Sequence, residues 1–510
     1  MQNELETEKT SSITKNTLYM YLRMFVMMGI NLYTARVVLR VLGVEDFGIY
    51  NVVGGIVTLF FFLNGALSQA TQRFIAYDIG KGNKKGMQRT FSMCLNVHLI
   101  ISFIIIFLGE TVGLWIVYHK LNIPGDRFTV ALWAYHFSIV SSIISIVQVP
   151  FNALINAHEK FNVYAVISIF DAIVKLSLVL SIEFLEGDRL FLYALLLLIA
   201  HFIQAFLYGL YCTIYFKEGR YSLFWDKNLF RNIFGFTSWS LMGNIADTLA
   251  DQGINILLNI FCGPVINAAR GLAVQIKTQV SAFVTNFQSA SNPQIVKRYA
   301  RDETGSMTVL IMKTSKLSFF LFFIVMFPLC LEMNSILHLW LSAPPLYLRE
   351  FSILTLTTVL LQSMGGTLQL AIQASGRIKE YHLTVSLVKL LCLPISYLGL
   401  YFGFSALFPF FVVMIIYGGV VYINMILVKR ILGFPIGRYF KEVIIKDIEV
   451  FCVASIIPFV FVNLFKETYI RMPFTIAIAL TSVGLTSFLV GLNPEERKWA
   501  VDLVKNKLKR

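Results

Sequence analysis

The sequence predicts an all-α integral membrane protein of about 14 transmembrane helices, arranged as two parallel six-helix lobes followed by two C-terminal helices. Three observations predict this class. Apolar runs recur from Thr17 to Leu492, each reaching or nearly reaching the ~20 residues that cross a bilayer. Mean hydropathy is +0.70 and only 14% of residues are charged, where a soluble chain carries roughly 25%. The chain also repeats itself at an offset near 220, which sorts the first twelve runs into two sets of six.

The runs lie at about 17–43, 48–70, 90–110, 129–150, 161–185, 190–216, 233–262, 264–288, 308–333, 351–373, 381–402, 404–428, 446–465 and 472–491. They are continuous rather than alternating, which excludes a β-barrel. No gap between them holds a globular domain. The chain then divides into a cytoplasmic N-terminus (1–16), an N-lobe (17–216), a cytoplasmic linker (217–232), a C-lobe (233–428), two further spans (446–491) and a basic cytoplasmic tail (492–510). The N-terminus does not read as a signal peptide. Its mixed charges precede a run too long for a signal core, and no small-residue cleavage site follows.

Sidedness comes from charge. Of 43 Lys and Arg residues, only Lys120, Arg127, Arg189, Arg349, Lys466 and Arg471 fall in loops on the side opposite the N-terminus. This positive-inside bias places both termini in the cytoplasm and makes the protein multi-pass. It also accounts for the net charge of +14 without a nucleic-acid partner. The six cysteines (94, 212, 262, 330, 392 and 452) form no CxxC and read as small apolar packing residues, so no metal site and no cofactor is expected.

The repeat is clearest at the helix junctions. Leu42-Gly43-Val44 parallels Cys262-Gly263-Pro264, each joining two long helices with almost no loop. Gln69 to Gln72 parallels Ser289 to Asn292, and Leu154 to Tyr164 parallels Ala371 to Tyr381. Each copy holds six spans, so both have the same orientation about an axis along the membrane normal. A substrate site between them near the midplane follows from that plan, which is a transporter plan.

Polar faces locate the expected site. Span 7 carries Ser240, Asn244, Thr248, Asp251, Asn255 and Asn259 at helical spacing, with Asp247 beside them. Span 8 carries Asn267, Arg270, Lys277, Ser281, Gln288 and Asn292. A cation at a helix centre costs roughly 2.5–3.5 kcal/mol. Two readings remain open: the stripes line a wet cavity, or they bond each other through pairs such as Asp251 with Arg270 and Asp247 with Lys277. Arg36 lies about two-thirds of the way along span 1, while Arg23 and Arg40 can snorkel. Asp171 and Lys175 form an i,i+4 pair. Lys316 and Lys389 stay ambiguous, and His98, His136 and His201 read as packing residues. Intramembrane cations outnumber Asp171, Asp247 and Asp251. That balance suits an anionic substrate, with Arg matched to phosphate oxygens.

These residues resemble a known family. Ala35 to Tyr50, including Arg36, Gly43 and Phe47-Gly48, resembles the first conserved block of the polysaccharide-transporter family, the O-antigen and exopolysaccharide repeat-unit flippases of the MATE-like MOP superfamily. Asn64 to Ala76 resembles its second-helix end, and Asp251 to Gly271 resembles a block of the Bacteroides-type members. The resemblance implies a MATE-like fold and transfer of an undecaprenyl-pyrophosphate-linked oligosaccharide across the bacterial cytoplasmic (inner) membrane, by alternating access and without an enzymatic step. It implies partners in the lipid-linked substrate, in Na⁺ or H⁺, and in polysaccharide polymerases and glycosyltransferases. It maps cavity cations onto Arg36 and Arg270. Helical position adds Lys277, Lys175, Arg23, Asn244 and Asn255 to the cavity, and Asp171, Asp247 and Asp251 to ion coupling or charge pairing. A Na⁺/H⁺-coupled multidrug exporter of the same superfamily is the alternative, and a membrane-bound polysaccharide polymerase a third.

Overall fold

The computed structural model describes residues 2–59, 68, 71, 72, 74, 75, 78, 84–158, 160–341, 343–375 and 377–498; the side chains of 2–22, 84, 85, 232–244, 286, 289, 290, 293, 300 and 378 lie outside that description. The described residues form helices joined by short turns and loops, with no strand among them. They form two compact units, one of residues 1–271 with 396–401, the other of 272–395 with 402–510. Nine described helices are long and apolar enough to cross a membrane, or ten if one bent pair counts as a single span.

The first unit holds α1 (Gln2–Leu59), α2 (Lys84–Leu108), α3 (Phe128–Ala157), α4 (Phe161–Ser181), α5 (Arg189–Tyr215) and α6 (Lys227–Cys262), with the start of α7 (Pro264–Ala300). Helix α1 covers two of the expected spans because it is broken at Gly43, whose φ of 78° and ψ of 172° lie outside helical geometry. The break between α6 and α7 is its counterpart: Gly263 has φ 82° and ψ 176°. Positive φ at both junctions explains glycine there. A Pro at the first position of α7 loses only an amide that would have had no helical partner. Helices α6 and α7 lie over the expected spans 233–262 and 264–288 and are not among those nine.

Helices α3 and α5 pack along one another, with α1 and α4 against them. In apolar surroundings this packing rests on shape rather than on the hydrophobic effect. The second limb of α1 packs against α6 and the start of α7 through glycines. A Cβ at Gly48 would overlap the Pro264 carbonyl, one at Gly55 would lie 2.6 Å from Asn255 Nδ2, and one at Gly271 would lie 2.6 Å from Asn51 Oδ1. The α1 elbow is tied down at the same end. Arg127 Nε donates to Asp46 Oδ1 at 2.8 Å, and its Nη1 reaches Asp188 Oδ2 at 2.5 Å. Asp188 also caps α5, accepting from the amides of Leu190 and Phe191. Burial works to raise the Asp188 carboxyl, but Arg127 and those two amides outweigh it and hold the carboxyl below the usual range.

The second unit is built on α8 (Thr304–Leu331), followed by the short helix Met333–Leu341. Next come α9 (Leu348–Ser363) and α10 (Gly366–Ala374), which make one span bent by 44°. Helices α11 (Ile378–Leu390), α12 (Cys392–Tyr401, mostly in the first unit), α13 (Phe408–Leu432), α14 (Ile445–Leu464) and α15 (Arg471–Thr486) complete the chain. Helix α8 buries Phe319, Phe320, Phe322 and Phe323 among its neighbours. Helix α15 lies along it, pinned by a buried pair: Arg471 donates through Nε and Nη2 to the two carboxylate oxygens of Glu332 at 2.9 and 3.0 Å. Thr475 adds a third bond at 2.7 Å. The sequence reading put Arg471 in an outer loop and left Glu332 out of its charge balance; the structure buries both, because each satisfies the other.

Two outcomes follow. Gly48→Val should destabilise the fold by roughly 1–3 kcal/mol, the usual cost of overpacking, read as a lowered melting temperature of the purified protein; Gly29→Val, where a Cβ meets nothing within 4 Å, is the control. Because the folded Asp188 carboxyl titrates below its ordinary value, its stabilisation is present above that value and lost as pH falls through the carboxylate range. Asp188→Asn should therefore melt with a weaker acid dependence than the unaltered protein; an identical dependence would contradict this.

Candidate functional site

The site is the hairpin of α6 and α7 with the second limb of α1. Spacing of four puts Asp247, Asp251, Asn255 and Asn259 on one face of α6, and the Gly263 turn returns the chain beside it. The Gly263 amide donates to the Asn259 carbonyl at 2.9 Å, and Asn259 Oδ1 accepts from the Asn122 amide at 2.8 Å. One turn into α7, Asn267 Nδ2 donates to both the carbonyl and Oδ1 of Asn255, at 2.7 and 2.8 Å. Asn255 Nδ2 in turn donates to the Asn51 carbonyl at 3.2 Å and Gln252 Oε1 at 3.3 Å. These amides lock the three segments in one register.

Arg270 sits on that frame. Its Nη2 donates to the Asp251 carbonyl at 2.7 Å and lies 2.8 Å from Asp251 Oδ1. Gln252 Nε2 donates to Asp251 Oδ2 at 3.0 Å. The pair is asymmetric: the Arg270 side chain is 7% exposed, the Asp251 side chain 39%. The guanidinium is enclosed and its counter-ion faces outward. An anion with better geometry could exchange for that carboxylate without Arg270 moving into water.

Of the other expected residues, Asp247 and Arg36 are exposed on α6 and on the first limb of α1. Lys277 is half-buried two turns beyond Arg270 on α7, about 10 Å along the helix axis. The Asn244 side chain lies outside the described residues. Arg23, Lys175 and Asp171 form a different group of the first unit. Lys175 Nζ pairs with Asp171 Oδ2 at 2.9 Å, and Arg23 lies over the Tyr164 ring at 4.6 Å. Tyr164 neighbours Tyr208, whose hydroxyl is 3.5 Å from Ser168 Oγ. The structure thus brings Arg270, Asp251 and Asn255 together and keeps Arg23, Asp171 and Lys175 as a second cluster.

Sequence reasoning missed Asn51 and Gln252. Asn51 carried a signal in its surroundings: Gly48, Asn51 and Gly55 fall on one helical face, the pattern of a close contact. Gln252 carried none. Also missed was Asp447, fully buried near Lys316 in the second unit.

Residues 13–299, more than half of the chain, match the family described as "Polysaccharide biosynthesis protein". No curated protein matches the chain. Among solved structures, an inward-facing multidrug resistance MATE family transporter of the MOP superfamily superposes with a TM-score of 0.67 at 14% identity, over 81% of this chain and 98% of that one. An outward-facing structure of a MATE family transporter gives 0.61 at 14% identity, over 83% and 96%. A MOP superfamily transporter from Pyrococcus furiosus, described as having a binding pocket of reverse polarity, gives 0.61 at 13% identity, over 82% and 95%. Identities this low establish the fold, and the match over residues 13–299 establishes the family: the chain belongs to the polysaccharide biosynthesis protein family and has the fold of the MOP-superfamily transporters.

Proposed function

We propose that the protein is a flippase that moves an undecaprenyl-pyrophosphate-linked oligosaccharide, the repeat unit of an O-antigen, capsule or exopolysaccharide, across the bacterial cytoplasmic membrane by alternating access, with both termini cytoplasmic. The observation that carries this reading is the Arg270–Asp251 pair, an enclosed guanidinium whose counter-ion is the more exposed partner. A pyrophosphate offers more charge and more acceptor oxygens than one carboxylate, so it can displace Asp251 and satisfy Arg270 bidentately. Arg36 and Lys277 would supply further positive charge. Asn255, with its amide engaged by Asn51 and Gln252, would hold Arg270 in register rather than touch sugar. Arg23 and Lys175 would add positive charge along the path from their separate cluster, with Asp171 as the charge partner of Lys175.

A cation-coupled exporter of the same superfamily is the second reading, favoured by the exposed Asp247 one turn from Asp251, where Na⁺ or H⁺ could bind. The two readings part on Arg270. A drug cation gains nothing from a guanidinium, while an anion loses a charge-assisted contact worth ~1.5–3 kcal/mol. Arg270→Ala should therefore lower surface glycan roughly ten- to a hundredfold, with protein level intact and the lipid-linked precursor accumulating, and Arg270→Lys should fall between. Normal glycan in Arg270→Ala cells, with drug susceptibility changed instead, would favour the exporter.

A further inference from the structure

Helix α15 runs along α8 and is pinned at both ends. At the end remote from Glu332 and Arg471, Lys316 Nζ donates to Glu496 Oε2 at 2.6 Å, and the lysine is 2% exposed. Glu496 belongs to the segment Asn493–Lys498 that follows α15. That segment is held by few other polar contacts: Asn493 N donates to Glu496 Oε2 at 2.9 Å, and Arg497 donates to the carbonyls of Leu492 and Leu489 at 2.9 and 2.7 Å.

A third ionisable group lies within the electrostatic reach of Lys316. Asp447, in the first turn of α14, is fully buried, and neither of its carboxylate oxygens accepts a hydrogen bond among the described residues. The other titratable group near it is the Tyr439 hydroxyl, which donates to Ser315 Oγ at 2.9 Å and to the Met364 carbonyl. On α14 itself, Lys446 pairs with Glu449. Helix α15 carries one charged side chain, Arg471, and it is bound to Glu332.

With Lys316, Glu496 and Asp447 all ionised, the cluster would bury a net negative charge with one carboxylate unpaired, an arrangement that proteins avoid by taking up a proton. Asp447 lacks donors, so the proton belongs there. We propose that Asp447 is a proton-binding site that governs docking of the segment Asn493–Lys498. With a proton from solvent on Asp447, Lys316 is left to Glu496 and the segment docks. When that proton returns to solvent, the Asp447 carboxylate takes Lys316, and Glu496 is released with its segment. Docking therefore takes up one proton and undocking gives one up. This does not depend on which substrate the protein carries.

The test is tryptic cleavage after Arg497 and Lys498 in the full-length protein in lipid nanodiscs, read by the mass of the released peptide and normalised at each pH to an unstructured peptide carrying the same sites. Cleavage should rise with pH, by up to about tenfold per unit below the midpoint as one-proton linkage requires, and level off above it. Asp447→Asn, which mimics the protonated acid, should be protected across the range, and Glu496→Gln cleaved at every pH. The infrared carbonyl band of a protonated carboxylic acid, measured on the unaltered protein, should disappear as cleavage rises, so the idea stays open to refutation if the Asp447 variant fails to fold. Cleavage independent of pH, an Asp447→Asn variant that follows the unaltered protein, or absence of the infrared band would each overturn the proposal.

Discussion

The cost of keeping a guanidinium in an apolar helix hairpin shapes the rest of the first unit. Arg270 is 6% exposed. Left alone, such a charge would cost several kcal/mol. The hairpin meets that cost by bringing Asp251 within 2.8 Å and by adding the Asp251 carbonyl as a second acceptor. Both contacts need α6 and α7 to return side by side in one register. The Gly263 turn allows the return, and the bonds from Asn267 to Asn255 fix the register.

The same constraint explains the glycines. For the second limb of α1 to reach the hairpin, Gly48, Gly55 and Gly271 must have no side chain. Gly43 and Gly263 stand 220 residues apart and share φ and ψ within a few degrees. At that same offset Asn51 corresponds to Gly271, and these two lie against each other.

Much of this was legible in the sequence, and particular residues show why. Gly43 and Gly263 stood out because a junction without a loop between two long apolar runs demands an unusual backbone. Arg270 and Asp251 stood out because charge is rare in such runs and both recur at helical spacing. The grouping of the cations did not follow from the sequence. Spacing gives the face of one helix, but which helices share that face is set by packing, so Arg23, Lys175 and Asp171 gather around Tyr164 and Tyr208 instead of Arg270. The burial of charge at span ends did not follow from the sequence for a related reason. Arg471 and Glu332 look like interface residues one at a time, and only their contact reveals that they are buried together.

The central claim is that Asp251 holds Arg270 in place of a substrate anion. It is tested most directly by the affinity of the purified protein for undecaprenyl pyrophosphate, unaltered and as Asp251→Asn. The account predicts tighter binding to Asp251→Asn, because the anion no longer competes with a carboxylate for Arg270, and weak binding once Arg270→Ala is added. Unchanged or weaker binding to Asp251→Asn would show that the pair serves only the fold and would contradict the account.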